Sequence, residues 1–325
     1  MFGTILLLAG GGFWLKLNLG RADSPMETYF RVQKRTTLAS LLPELEQQKL
    51  IVRSNAFWFY ATFIKRLKNI APGTYKFQSH PDASQIIHSF RHPLQQMVQI
   101  PEGWWILRVA RKLESKGVCS AKDYTQLTQQ PQLFQTKVSF ILPQNLSLEG
   151  YLYPDTYDLP PELGAYQTIC RQIKGFEQHI LPLIPPQKNL HRILTIASIV
   201  ELEASSLSER AMVAGVIENR LKKGMRLQLC PTALYSMQEW RILQPGETAK
   251  PDSPYNTYKQ TGLPPGPICS PSIESVKAAL NPAHHPYLFF VVRPGGGHHY
   301  SVTFSEHLKY IRKLRQYQNH QKHSS

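Results

Sequence analysis

Acidic residues are scarce in this chain. Its 325 residues hold 22 Asp and Glu against 37 Lys and Arg, a formal net charge of +15. A cationic surface of that size suits nucleic acid, an anionic membrane or an acidic polymer, or it is simply solvated. Nucleic acid lacks support, because neither zinc-finger spacing nor an RNA-reading aromatic motif is present. Cysteine is scarce too. Cys119, Cys170, Cys230 and Cys269 show no CxxC spacing, which argues against a cysteine metal or redox site. Four unpaired, mostly buried thiols are expected; a Cys230–Cys269 bridge is the alternative, and it depends on geometry that spacing does not reveal. The Gly295–Gly297 run has no Lys-Ser/Thr after it, so it is no phosphate loop, and the adjacent His298 and His299 cannot easily share one zinc. Long apolar runs are limited to Phe2–Leu15. No basic segment precedes that run and no A-x-A site follows it, which disfavours a cleaved signal peptide. It is long enough to span a bilayer if Lys16 snorkels to the headgroups.

What is present points to a folded protein: 42% hydrophobic and 10% aromatic residues, enough for roughly two domains. The most informative stretch runs from Leu194 to Gln228. Ile193, Leu194, Ile196, Ala197, Val200 and Leu202 predict a helix that is apolar nearly all round and therefore buried. Glu201 and Glu203 sit near its end. Two positions apart is about 200° around a helix, so they face opposite ways. A carboxyl at the end of a buried helix has its pKa raised, as a general acid needs; the plainer reading has both glutamates facing water. Ser206-Leu207-Ser208-Glu209 has the pattern of a capping box opening a second helix through Met212, Val213, Val216, Ile217 and Leu221, with Gly224 as its αL stop.

The region from Thr28 to about Val98 reads as a small β-α-α-β unit. Tyr29–Val32 and Thr74–Phe77 are strand-like. Leu38, Leu41, Leu42 and Leu45 predict a helix that Pro43 shortens or kinks, and Phe57–Tyr60 with Phe63 and Ile64 predicts an aromatic one. Ser84 is a candidate cap for a last helix with Ile86, Ile87 and Phe90. Trp58 and its neighbours either form the core of this unit or present a binding face. A weak repeat aligns Val32–Leu50 with Ile100–Val118, pairing Leu45 with Leu113. The tandem Trp104-Trp105 follows the second copy's opening turn and either packs or stacks on sugar. Beyond lie the predicted helix Tyr166–Leu183, the short helix Ile273–Leu280, the buried strand Tyr287–Val292 and a basic terminal helix with Lys309, Arg312, Lys313 and Arg315.

Four blocks carry a family resemblance: LEGYLYPDTY (Leu148–Tyr157), LTIASIVELEASSLSERAMVAGVIENRLKKGMRLQ (Leu194–Gln228), SPYNTYKQTGLPPGPI (Ser253–Ile268) and ALNPAHHPYLFFVV (Ala279–Val292). Together they resemble the YceG-like (MltG) family of endolytic murein transglycosylases. The resemblance implies an α+β fold with three parts: a membrane anchor and linker over 1–24, a LysM-like β-α-α-β accessory domain over 25–98, and a mixed α+β catalytic domain over 99–325. It implies Glu203 as the catalytic acid and a substrate groove that draws on Glu149, Asp155, Asn219, Arg220, Gln228, Thr232, Tyr255, Asn256 and Tyr258. Asp155 has a plainer reading, a carboxylate that caps backbone. The expected substrate is the peptidoglycan glycan strand, cleaved after N-acetylmuramic acid with a 1,6-anhydro end, which terminates strand growth. No metal or organic cofactor is expected. The expected place is the inner membrane, single-pass, with the catalytic part in the periplasm and peptidoglycan synthases as partners. Lys16 and Arg21 follow the apolar run, against the orientation that this implies. Cys230 stands where the family usually has Asp before Pro-Thr, and Glu218 where it often has an aromatic or aliphatic residue. A hydrolytic muramidase on the same fold and a non-catalytic wall-binding scaffold are the alternatives.

Overall fold

A computed structural model describes residues 18–323 apart from Lys34, Lys68 and Pro245. The expected anchor run, Phe2–Leu15, lies outside the described residues. Among those described, no helix is long and apolar enough to cross a membrane. The architecture is mixed α+β: helices with three two-stranded sheets among the described residues. The chain divides into two compact units. The first takes the chain up to Val98 together with Leu113–Cys119 and Tyr157–Gly164, and the second holds the remainder.

In the first unit β1 (Thr28–Val32) pairs antiparallel with β2 (Gly73–Phe77), Phe30 opposite Tyr75 and Val32 opposite Gly73. Between them lie α1 (Leu38–Gln47) and α2 (Ser54–Phe59), the latter continuing into a π turn at Tyr60–Ile64; α3 (Ala83–Ser89) follows β2. Strand alternation sends Phe30, Val32, Tyr75 and Phe77 inward, where they meet Leu45, Phe57 and Phe90. Thr37 and Ser40 form a capping box for α1, which runs ten residues through Pro43, held by buried Leu41, Leu42 and Leu45. The cap of α3 is Asp82 rather than Ser84: Asp82 accepts from the Gln85 N–H at 2.8 Å and Gln85 returns the bond. The aromatic run splits. Phe57 is buried, whereas Trp58, Phe59 and Phe63 are 40–59% exposed and touch one another, so Trp58 belongs to a surface cluster.

β3 (Met97–Gln99) and α4 (Ile106–Ser115) come next, then α5 (Ala121–Thr128), β4 (Thr156–Asp158), which pairs with β3, and α6 (Ala165–His179). The internal repeat is real at the level of elements. α4 stands where the alignment places a second copy of α1, and Leu45 and Leu113 are both fully buried.

The second unit is built around α7 (Leu190–Glu203). Ile193 to Val200 are buried without a break. Its two polar members are satisfied locally: the Thr195 hydroxyl donates to the His191 carbonyl and Ser198 to that of Thr195. Against α7 pack α8 (Arg210–Lys222) and α10 (Ile273–Leu280), while α9 (Cys230–Met237) touches its end. β5 (Phe289–Val292) and β6 (His298–Ser301) form an antiparallel hairpin, covered by α11 (Phe304–His323). β5 is half-buried, not the fully buried strand expected.

Two details at α8 decide what surrounds the site. The capping box expected at Ser206 does not form: Ser206 makes no cap, and the Glu209 carboxylate instead accepts from the His298 N–H at 2.7 Å and pairs with His298 Nδ1 at 3.0 Å. At the other end Gly224 adopts φ +64°, with its N–H on the Leu221 carbonyl and that of Met225 on Arg220, a Schellman closure. Glu218 holds Arg192 in a two-pronged pair at 2.7 and 2.8 Å, which ties α8 to α7.

Candidate active site

Glu203 is the last residue of α7, and the opposite-face expectation for the two glutamates holds. Glu201 is engaged: its carboxylate pairs with Arg210 at 3.0 Å and accepts the Ser272 N–H at 2.9 Å and the Ser272 hydroxyl. Glu203 instead lines an open pocket of about 370 Å³. Burial raises its pKa from 4.5 to about 8, against the opposing pull of the Cys230 backbone N–H and the Arg220 charge. The Cys230 N–H belongs to the first turn of α9, so the carboxyl meets the positive end of a helix. Among the described residues lining this pocket, Glu203 is the one carboxylate.

Arg220, Gln228 and Tyr258 line the same pocket. Arg220 is 8% exposed. Its Nε donates to the Leu288 carbonyl at 2.6 Å and its Nη1 to that of Leu227, while its guanidinium lies 5.0 Å from the Phe289 ring centroid. Gln228 is exposed at φ +49° and its N–H is fixed on the Thr257 carbonyl. The Tyr258 hydroxyl lies 3.2 Å from Cys230 Sγ, and burial holds it well above the usual phenol range. No disulfide joins any of the four cysteines; Cys230 is exposed and Cys269 buried.

The other expected groove residues lie elsewhere. Glu149 is 2% exposed, and its carboxylate accepts the Ile106 N–H at 3.0 Å and the Tyr235 hydroxyl at 3.3 Å, closing the N-terminus of α4. Burial raises its pKa to about 8. Asp155 is exposed and accepts the Thr156 N–H at 2.7 Å, the backbone-capping arrangement. Asn219 is turned onto the carbonyls of His285 and Tyr287. Thr232 is buried against Leu229 and Thr257. Asn256 is buried, donating to Thr248 and Pro251 and accepting from the Tyr258 N–H, so it shapes the loop that carries Tyr258. Tyr255 opens on a separate cavity, with Tyr235 at 4.9 Å.

The facing wall was missed from sequence. It consists of Phe289–Val292, His298 and, from α11, Phe304, His307 and Ile311. A signal existed: Phe304, His307 and Ile311 recur at helical spacing within an otherwise basic helix. Burial and the Arg220 charge lower the His307 pKa. No group of three or more potential metal ligands gathers among the described residues.

Comparison with known proteins agrees with this architecture. An endolytic murein transglycosylase of Bacillus subtilis (strain 168) is 29% identical over 324 residues, covering 93% of this chain and 90% of that protein. One from Streptococcus pneumoniae serotype 2 is 26% identical over 88% of this chain, and the alignment spans 59% of the streptococcal protein. A crystal structure of a YceG-like protein from Listeria monocytogenes superposes with a TM-score of 0.60 at 29% identity, covering 88% of this chain and 99% of that one. The profile of the YceG-like family matches residues 30–313. The chain belongs to the YceG-like family.

Proposed function

We propose that this protein is a lytic transglycosylase that cuts peptidoglycan glycan strands internally, with Glu203 as both acid and base. The observation that carries the reading is a single pocket carboxylate whose burial keeps it protonated near neutral pH. Neutral Glu203 gives its proton to the glycosidic oxygen as the C1–O bond after N-acetylmuramic acid breaks. The C6 hydroxyl of that sugar attacks C1, and its proton returns to Glu203. The product carries a 1,6-anhydro ring, and the acid is regenerated. Hydrolytic glycosidases use two carboxyl groups to manage water or an ester. A tethered hydroxyl lessens that need, since effective molarities reach about 10⁵ M or more. Arg220 and Tyr258 are the polar groups placed to hold sugar oxygens beside Glu203.

The companion parts of the reading are a single-pass inner-membrane anchor within residues 1–24 and a LysM-like accessory module over 25–98. The exposed Trp58, Phe59 and Phe63 cluster supports a contact role for that module. Cleavage beside a peptidoglycan synthase would end strand growth in the periplasm. The test is mass spectrometry of products from purified glycan strands digested in ¹⁸O-water. Unlabelled 1,6-anhydro ends are expected. Labelled reducing ends would establish hydrolysis, and no cleavage by the folded protein would favour a wall-binding scaffold.

A further inference from the structure

Helix α9 links the Glu203 pocket to a second cavity. Cys230, its first residue, lines the Glu203 pocket. At about 1.5 Å per residue the helix carries the chain about 12 Å to its C-cap, Gln238. Gln238 takes the left-handed conformation, φ +56°, and turns the chain so that Trp240 packs on Trp105, centroids 5.5 Å apart. These two rings, with Arg108, Arg111 and Gln238, line a cavity of about 500 Å³. Gln238 also lines the polar cavity of about 310 Å³ that contains Tyr235 and Tyr255.

Three features of the 500 Å³ cavity point to a ligand. Trp240 is 44% exposed, an open aromatic face backed by a second indole. Trp105 is 7% exposed, a buried support for the Trp240 ring. Arg108 lies 4.2 Å from the Trp104 ring centroid, stacked by cation–π contact and not by a carboxylate. Arg111, on the same helix, is exposed. Glu239 and Arg241 also line the cavity and pair with each other at 2.8 Å, and Glu247 holds the same guanidinium at 2.6 Å, so the lining carboxylate is already matched.

We propose that this cavity is a distal glycan subsite. An N-acetylated sugar ring lies on Trp240, and Arg108 and Arg111 receive carboxylates of the peptide stem or, where the stem has been removed, of the lactyl ether. The proposal rests on the transglycosylase reading for its ligand class. It gives an internal-cutting enzyme a second grip on the strand, remote from the bond that breaks.

The test uses the full chain carrying Glu203→Gln, so that binding is read without turnover. Calorimetric titrations use long glycan strands with stems, the same strands stripped of peptide, and a disaccharide. Trp240→Ala should weaken both long ligands about tenfold, Trp240→Phe should restore most of that loss, and the disaccharide should be unaffected. Arg108→Gln with Arg111→Gln should weaken the stem-bearing strand more than the stripped one if the stem supplies the carboxylates, and the stripped one more if the lactyl carboxylate, free only once the stem is removed, does. In the active enzyme Trp240→Ala should raise KM for long strands and leave kcat unchanged. Unchanged long-strand binding in folded Trp240→Ala protein overturns the subsite, as does equal competition by an unrelated polyanion such as heparin. Failure of cleavage with Trp240-dependent binding intact would count against the Glu203 mechanism alone.

Discussion

With Glu203 as the proposed acid, its pKa predicts the shape of the enzyme's pH profile. An ordinary glutamic acid at 4.5 is protonated in only about 0.3% of molecules at pH 7, whereas one at about 8 is protonated in about 90%. Burial at the end of α7 thus multiplies its protonated fraction about 300-fold at neutral pH. The same arithmetic sets the alkaline limb: at pH 9 the protonated fraction is about 9%, so turnover should fall about tenfold between pH 7 and pH 9. The assay is initial rate on purified glycan strands at saturation from pH 6 to 10, with folding followed by circular dichroism. Glu149 is also raised to about 8 but lies outside the pocket, so folded Glu149→Gln protein should keep the limb. A rate that rises from pH 7 to pH 9 would mean that Glu203 starts as a base and would refute the mechanism. Loss of the limb in Glu149→Gln would assign it to the wrong carboxyl.

Glu203→Gln should lower turnover by about 10² or more without loss of fold. Glu201→Gln should do the reverse, costing about 3 kcal/mol in urea unfolding because the largely but not fully buried Arg210 loses its counter-charge, while the folded fraction stays active. Cys230→Asp adds a like charge near Glu203 and should move the alkaline limb to higher pH; a shift to lower pH would contradict that electrostatic reading. Stability follows the two raised carboxyls. A folded pKa above the unfolded one contributes stability fully present below pH 4.5 and lost as pH rises through about 8. The thermal midpoint should therefore drop between pH 5 and pH 9, and the drop should be shallower in Glu149→Gln, as read by calorimetry.

Much of this was legible because it is local. The period of apolar residues marked α7 and α8, the spacing of Glu201 and Glu203 separated their faces, and Gly224 marked the stop of α8. The repeat of α1 in α4 was visible from Leu45 and Leu113. What failed depended on distant partners. Ser206 and Glu209 have the pattern of a cap, but His298, far along the chain, takes the carboxylate. Glu149 reads as a groove acid beside aromatics, yet the N–H of Ile106 claims it for α4. Asn219 and Asn256, in motif blocks, and Thr232, in the Pro-Thr pair after Cys230, are polar residues whose side chains hold backbone in place. Their spacing could not tell loop-building from ligand-facing, because the difference lies in which carbonyls happen to be within reach.

The wall supplied by α11 also bears on biogenesis. Glu203 is made roughly a hundred residues before Phe304, His307 and Ile311, which close the far side of its pocket. Glu203 and α11 both belong to one compact unit, and chains fold unit by unit as they are made. A chain that has not yet added α11 therefore carries Glu203 but lacks one wall of its pocket. On the proposed mechanism, such a chain has nowhere to seat a glycan beside its acid until α11 docks.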